Sequence, residues 1–226
     1  MTLLLCHIPK TAGTSLRRLA ERFSPDAAFV YEPVLALGAP DLDFAKAFRA
    51  RPAPSLLMGH FSYGVHRLLG LEPRYATVLR EPIARVVSLY RFLKIDAASP
   101  FSAAARGMSL QAFIASGITE MTNNHMCRMI AGIPPEPGCI ITDDWLLGLA
   151  LHNLERHFAL VGTLEAMPGF MASLAQALHW PAETQLPAEN VTTGERPDLS
   201  ADDLSTVTAH NRLDIELYAT VSRRQG

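Results

Sequence analysis

Apolar residues along this chain fall into short unbroken runs separated by stretches of helical period. Leu3 to Ile8 is the first run, of the kind expected for a strand covered on both faces. Pro9 to Gly13 breaks it, and Leu16, Leu19, Ala20 and Phe23 then follow the i, i+3, i+4, i+7 spacing of one helix face. Ala27 to Tyr31 reads as a second strand, Asp41 to Ala50 as a helix, and Ser55 to Met58 as a short strand entering Gly59-His60. Tyr75 to Leu79 is another apolar strand. It runs through Arg80-Glu81 into a helix with Pro82 at its first position and Ile83, Val86, Val87 and Tyr90 on its apolar face. Arg85 and Ser88 are expected on the opposite face, turned toward a ligand.

Further helices are predicted at Ser109 to Ser116, at Asp143 to His157 with Thr142 as cap, and at Pro168 to Leu178, with a strand at Phe158 to Val161. Trp180 to Leu199, rich in Pro, Glu and Thr, reads as a long loop of the kind that often carries function. Ser200 and Asp203 stand in capping-box position before a last helix that is expected to reach about Arg223. Strands alternating with helices predict an α/β fold with a mostly parallel central sheet flanked by helices. With no repeat or linker in view, residues 1–226 are read as a single domain.

Composition adds constraints. Of 226 residues, 49% are hydrophobic and 19% charged, enough for a sizeable core. The formal net charge of −2 creates no overall field for nucleic acid or an anionic membrane, so an anionic ligand needs local capture. The three cysteines, Cys6, Cys127 and Cys139, form no disulfide framework. The apolar run at the N-terminus ends at Pro9-Lys10, too short for a signal peptide, and no stretch approaches the roughly 18 apolar residues of a membrane span. A cytoplasmic protein is expected.

The candidate chemistry starts at Pro9-Lys10-Thr11-Ala12-Gly13-Thr14-Ser15, between the first strand and the first helix. A loop in this position aims backbone N–H groups at one point, and the helix N-terminus adds its positive dipole end. Gly13 permits close approach, Lys10 supplies a cation, and Thr11, Thr14 and Ser15 supply hydroxyl donors. The nucleotide-binding GxxxxGK[ST] pattern is absent, because Lys10 precedes Gly13 by three residues. No strand ends in a magnesium-holding Asp either, which weighs against metal-assisted phosphoryl transfer.

His7 to Ser15 (HIPKTAGTS) resembles the 5′-phosphosulfate loop of carbohydrate sulfotransferases, the group related to heparan sulfate 2-O-sulfotransferase. Val78 to Tyr90 (VLREPIARVVSLY) resembles the second hallmark of that family, an Arg at a strand end followed by Pro, Arg, Ser and Tyr at fixed steps. Fainter likeness extends through Asn124 to Gly132, Leu154 to Leu164 and His210 to Tyr218. The resemblance implies a P-loop-like nucleotide-binding fold. It also implies transfer of a sulfuryl group from 3′-phosphoadenylyl sulfate (PAPS) to an acceptor hydroxyl on a carbohydrate, with PAP as product.

Lys10, Thr11, Ala12, Gly13, Thr14 and Ser15 would hold the 5′-phosphosulfate, and Arg80 with Ser88 the 3′-phosphate. Glu81 stands where the family has Asp. By the same resemblance, His60 lies where a His-Gly-His holds the catalytic base, with Met58 in place of the first histidine. Lys10 would stabilise the departing phosphate oxygen and His60 would take the acceptor proton. His7 reads as structural, and His125 with Cys127 lacks a complete ligand set, so no metal is expected.

The resemblance places Lys94 to Ile141 and Glu189 to Arg196 around acceptor and nucleotide, with Asn190, Thr192 and Thr193 closing over PAPS and Arg128 meeting an acidic acceptor. Two other functions remain open, a small P-loop-type nucleotide kinase and a non-catalytic nucleotide-binding module. The expected partner is a small-molecule or glycan hydroxyl, with no nucleic acid and no membrane span.

Overall fold

The computed structural model describes residues 1–30, 42–132, 142–186 and 198–225. In chain order the elements begin with β1 (Leu3–Cys6), α1 (Gly13–Phe23), β2 (Ala28–Val30), α2 (Leu42–Arg49), β3 (Leu56–Gly59) and α3 (Val65–Leu69). There follow β4 (Tyr75–Leu79), α4 (Pro82–Ile95), α5 (Ser102–Gly107), α6 (Leu110–Ala115), α7 (His125–Ala131) and α8 (Asp143–His157). The last are β5 (Phe158–Thr163), α9 (Met167–Leu178), α10 (Ala201–His210) and α11 (Arg212–Gln225). None of the helices in the described residues is long and apolar enough to cross a membrane.

Among the described residues five strands pair in parallel, in the order β2-β3-β1-β4-β5. The apolar runs of the sequence are the three inner strands, buried on both faces as a parallel sheet requires. Residue alternation divides them between two cores. Leu4, Cys6 and Leu57 face a cluster built with α7, α8 and α11. Leu3, Leu5, Leu56 and Met58 face a second cluster built with α1 and α9. A third cluster joins α4, α5, α6 and α10 beside the sheet.

Several boundaries differ from the expectation. His7 and Ile8 leave the strand, although the His7 N–H still donates to the Gly59 carbonyl at 2.8 Å. The single C-terminal helix is two, because the buried Asn211 ends α10 and turns its amide onto the carbonyls of Thr122 and Val207. The predicted caps form: Thr142 accepts from Trp145 N–H, and Ser200 and Asp203 close a capping box. The short helices α3, α5 and α7 carry too few turns for a periodic signal.

Candidate functional site

In an open parallel sheet the crevice beyond the carboxyl ends of the strands, where strand order reverses, is the natural ligand position. Here β1 has β3 on one side and β4 on the other, so the segments after β1, β3 and β4 emerge together. A cleft of about 2330 Å³ opens there, lined among others by Lys10, Gly13, Ser15, His60, Arg80 and Ser88.

The loop after β1 is held in a sharply turned form. Lys10 and Ala12 have φ of 75° and 65°, positions that cost non-glycine residues about 1–3 kcal/mol each and persist only where their surroundings enforce them. Enforcement comes from the Thr11 hydroxyl, which donates to the Ile8 carbonyl at 2.7 Å, and from Arg80, whose Nη1 donates to the Lys10 carbonyl at 3.1 Å. Thr11 is therefore a correction. Its side chain is fully buried and braces the loop from within, so its hydroxyl is not offered to the cleft. Lys10, Ala12, Gly13, Thr14 and Ser15 do line the cleft. No side chain caps α1, and no acidic residue stands in its first turn, which leaves its N–H groups available to an oxyanion. Gly13 has a steric reason: a Cβ there would lie 1.8 Å from the His7 ring.

Arg80 follows β4 directly, and Glu81 opens α4 as its cap, accepting from Ile83 N–H at 3.0 Å and Ala84 N–H at 2.7 Å. Glu81 therefore serves as a capping carboxylate. Ser88 lies on the wall of the cleft. Arg85 does not. It is fully buried, with Nη2 3.7 Å from Asp214 and donating to the Met121 carbonyl at 2.9 Å. Its Nε and Nη1 have no hydrogen-bond partner among the described residues. Burial pushes the Arg85 pKa down and that of Asp214 up, each opposed by the partner's charge. Successive helix residues turn by about 100°, so three steps leave Ser88 and Arg85 roughly 60° apart, enough to place one in the cleft and the other in the interior.

His60 sits at the end of β3. Its Nδ1 lies 2.9 Å from the His7 carbonyl, which can only accept, so the neutral ring carries its proton on Nδ1 and Nε2 is the basic nitrogen. The His60 and His7 rings stack with centroids 4.7 Å apart. Burial lowers the His60 pKa, partly offset by the bond to His7. His7 is held further down by burial and then by the like charges of His60 and Lys10. Both rings are therefore neutral at pH 7, the form that a proton acceptor requires. Lys10 extends its ammonium over Phe92, 4.1 Å from the ring centroid, and burial followed by Arg80 lowers its pKa against the pull of Asp96.

His125 joins this group without having been singled out as a site residue. It is 6% exposed, lines the same cleft, and is kept neutral by burial and by the nearby charges of Arg85, His60 and Arg128. It stands at the first position of α7, a seven-residue helix that gives no periodic signal.

The two faint stretches that contain His125 and Asp214 interlock. The Asn124 side chain accepts from the N–H groups of Leu213 and Asp214, while Asp214 accepts from Met126 and Cys127 N–H, so each caps the other's helix. Arg128 lines a neighbouring pocket of about 330 Å³ rather than the cleft itself. Asn190, Thr192 and Thr193 lie outside the described residues, and so does all of 189–196. Among the described residues, no group of three or more His, Cys, Asp or Glu is arranged to hold a metal ion.

No protein-family model matches the chain, and no curated protein matches it in sequence. Among solved structures, the chain is similar to the mouse sulfotransferase SULT7A1 complexed with PAP, at 12% identity and a TM-score of 0.46, over 93% of this chain and 62% of that one. It is also similar to a sulfotransferase from Alicyclobacillus acidocaldarius, at 13% identity and a TM-score of 0.53, over 97% of this chain and 95% of that one. The architecture is thus a sulfotransferase-like, P-loop-like α/β fold with an all-parallel central sheet.

Proposed function

We propose that the protein transfers a sulfuryl group from PAPS to an acceptor hydroxyl. One observation carries this reading. The loop after β1 and Arg80 after β4, 70 residues apart in sequence, meet through the bond from Arg80 to the Lys10 carbonyl, and both face one cleft with Ser88 and His60. Two separate anion-binding elements on one cleft fit a nucleotide that carries a 5′-phosphosulfate and a 3′-phosphate. The first would meet the N–H groups of α1, and the second Arg80 and Ser88.

The reaction is an in-line displacement. His60 Nε2 takes the acceptor proton as the acceptor oxygen bonds to sulfur. The bond between sulfur and the bridging oxygen breaks, and its electron pair stays on the 5′-phosphate of PAP. Lys10 Nζ meets that developing charge. A carbohydrate hydroxyl is the acceptor that the motif likeness supports. The buried free thiols of Cys6 and Cys127 fit a reducing compartment such as the cytoplasm.

The test is calorimetric titration with PAP, AMP, ADP and ATP, with and without magnesium. PAP should bind without metal and more tightly than AMP, and Arg80→Ala should weaken PAP by about 10- to 100-fold, the worth of a charged hydrogen bond to phosphate. ATP binding that needs magnesium, with no PAP binding, would establish the kinase instead. PAP binding with no turnover on any acceptor would leave a nucleotide-binding module.

A further inference from the structure

Ser88, Phe92 and Ile95 follow one another at i, i+4 and i+7 along α4 and all three line the cleft. Beyond the assigned 3′-phosphate site this helix face therefore presents two large apolar side chains, with Arg91 beside Phe92 as its one charged residue. Phe92 is 39% exposed and Ile95 72%, large apolar side chains at the mouth of a cleft rather than scattered over the surface. The Lys10 ammonium, assigned to the leaving oxygen, lies over the Phe92 ring, so this apolar stretch adjoins the reacting atoms. Phe101, Met121 and Met129 line the same cleft.

The charges in this part of the cleft point the same way. Among the described lining residues of α4 beyond Ser88, the segment after it and the segment leading to α7, Arg91 is the cation, and Asp96 and Glu120 are carboxylates. His60 and His125 add neutral imidazoles. With the Lys10 ammonium committed to the leaving oxygen, an anionic polysaccharide laid here would find the Arg91 guanidinium as its one remaining cation, against the carboxylates of Asp96 and Glu120.

We infer that this half of the cleft takes the body of an uncharged acceptor whose hydroxyl is carried on an apolar skeleton, and that it disfavours anionic polysaccharides. The inference rests on the sulfuryl-transfer reading above. It narrows the acceptor class to amphiphilic hydroxyl compounds, a sugar bearing a hydrocarbon group included.

Three probes with matched sugar rings test it, titrated into the PAP-loaded protein: n-octyl β-glucoside below its micelle concentration, methyl β-glucoside and n-octyl β-glucuronide. The octyl glucoside should bind at least about 10-fold more tightly than the methyl glucoside, since partial burial of a few methylenes suffices for that. The octyl glucuronide should bind more weakly than the octyl glucoside. Ile95→Ser, on an exposed helix end, should weaken the octyl glucoside several-fold and leave the PAP affinity unchanged. Equal binding of octyl and methyl glucosides, preference for the glucuronide, or indifference to Ile95→Ser would overturn the inference while PAP binding persists. Failure of PAP itself to bind would instead remove the donor reading, and this inference with it.

Discussion

Gly13→Ala is a small change that should disable both the loop and the imidazole pair. An added Cβ would stand 1.8 Å from His7 Cε1, 1.9 Å from Nε2 and 2.6 Å from Nδ1, against the 3.4 Å at which ordinary contacts begin. The His7 ring cannot easily retreat, because it is 8% exposed and stacked on His60. The loop is equally constrained, since Thr11 and Arg80 both brace it.

Overpacking of this kind costs about 1–3 kcal/mol. In a chain of this length each kcal/mol lowers Tm by about 2–4 °C. The displaced ring or loop should also move His60 and the α1 N-terminus, so PAP affinity and turnover fall together. Gly148→Ala is the matched control. It lies within α8 with nothing inside 4 Å of its added Cβ, and should stabilise by about 0.5–1 kcal/mol through helix propensity alone. Thermal melts and PAP calorimetry on the two variants separate the cases. A Gly13→Ala protein with unchanged Tm and PAP affinity would refute the steric argument.

Other outcomes follow from the same geometry. His60→Ala should lower turnover by about 10²- to 10⁴-fold in single-turnover assays while PAP affinity stays within about twofold. Because burial lowers the His60 pKa, kcat/KM should hold its plateau down through pH 6.5 and fall only below it; an acid limb centred above pH 6.5 would rule this base out. Buried neutral His7 and His125 have depressed pKa values, so the unfolded chain binds more protons as pH drops below 6.5. Stability should then fall by up to about 1.4 kcal/mol per pH unit for each, read as Tm between pH 7 and 5. Asp214→Asn leaves the Arg85 guanidinium buried without its counter-charge and should cost about 3–5 kcal/mol in urea unfolding, with a smaller loss when Arg85→Met is added.

What the sequence could disclose depended on how local the signal was. The inner strands were readable because a parallel sheet covered on both faces needs unbroken apolar runs, and LLLC and YATVL are such runs. The caps at Thr142 and Ser200 were readable because a cap and the N–H groups it satisfies lie within one turn. The turn from Pro9 to Ser15 between β1 and α1 was readable for the same reason, and so was the junction of β4 with α4 at Arg80. Residues whose roles depend on distant partners could not be assigned this way. Thr11 was expected to face a ligand, yet its hydroxyl serves Ile8. Arg85 was grouped with Ser88, yet it is drawn inward by Asp214, 129 positions later. His125 drew no site role because its value comes from standing near His60 across the cleft.

The sequence by itself determined the α/β class, the strand cores, the helix caps and the two strand-to-helix junctions after β1 and β4, since each depends on residues a few positions apart. Only the tertiary structure decided that these segments line one cleft. The strand order β2-β3-β1-β4-β5 places β1 between β3 and β4, and so brings Lys10, His60 and Arg80 to one edge of the sheet. The pairing registers Cys6 to Gly59 and Cys6 to Thr77 then fix how far each following loop projects. Hydrophobic periodicity states that a strand exists and which faces it buries. Which strand lies beside it is settled by how the two helical layers pack their apolar faces, and that is a property of the whole chain.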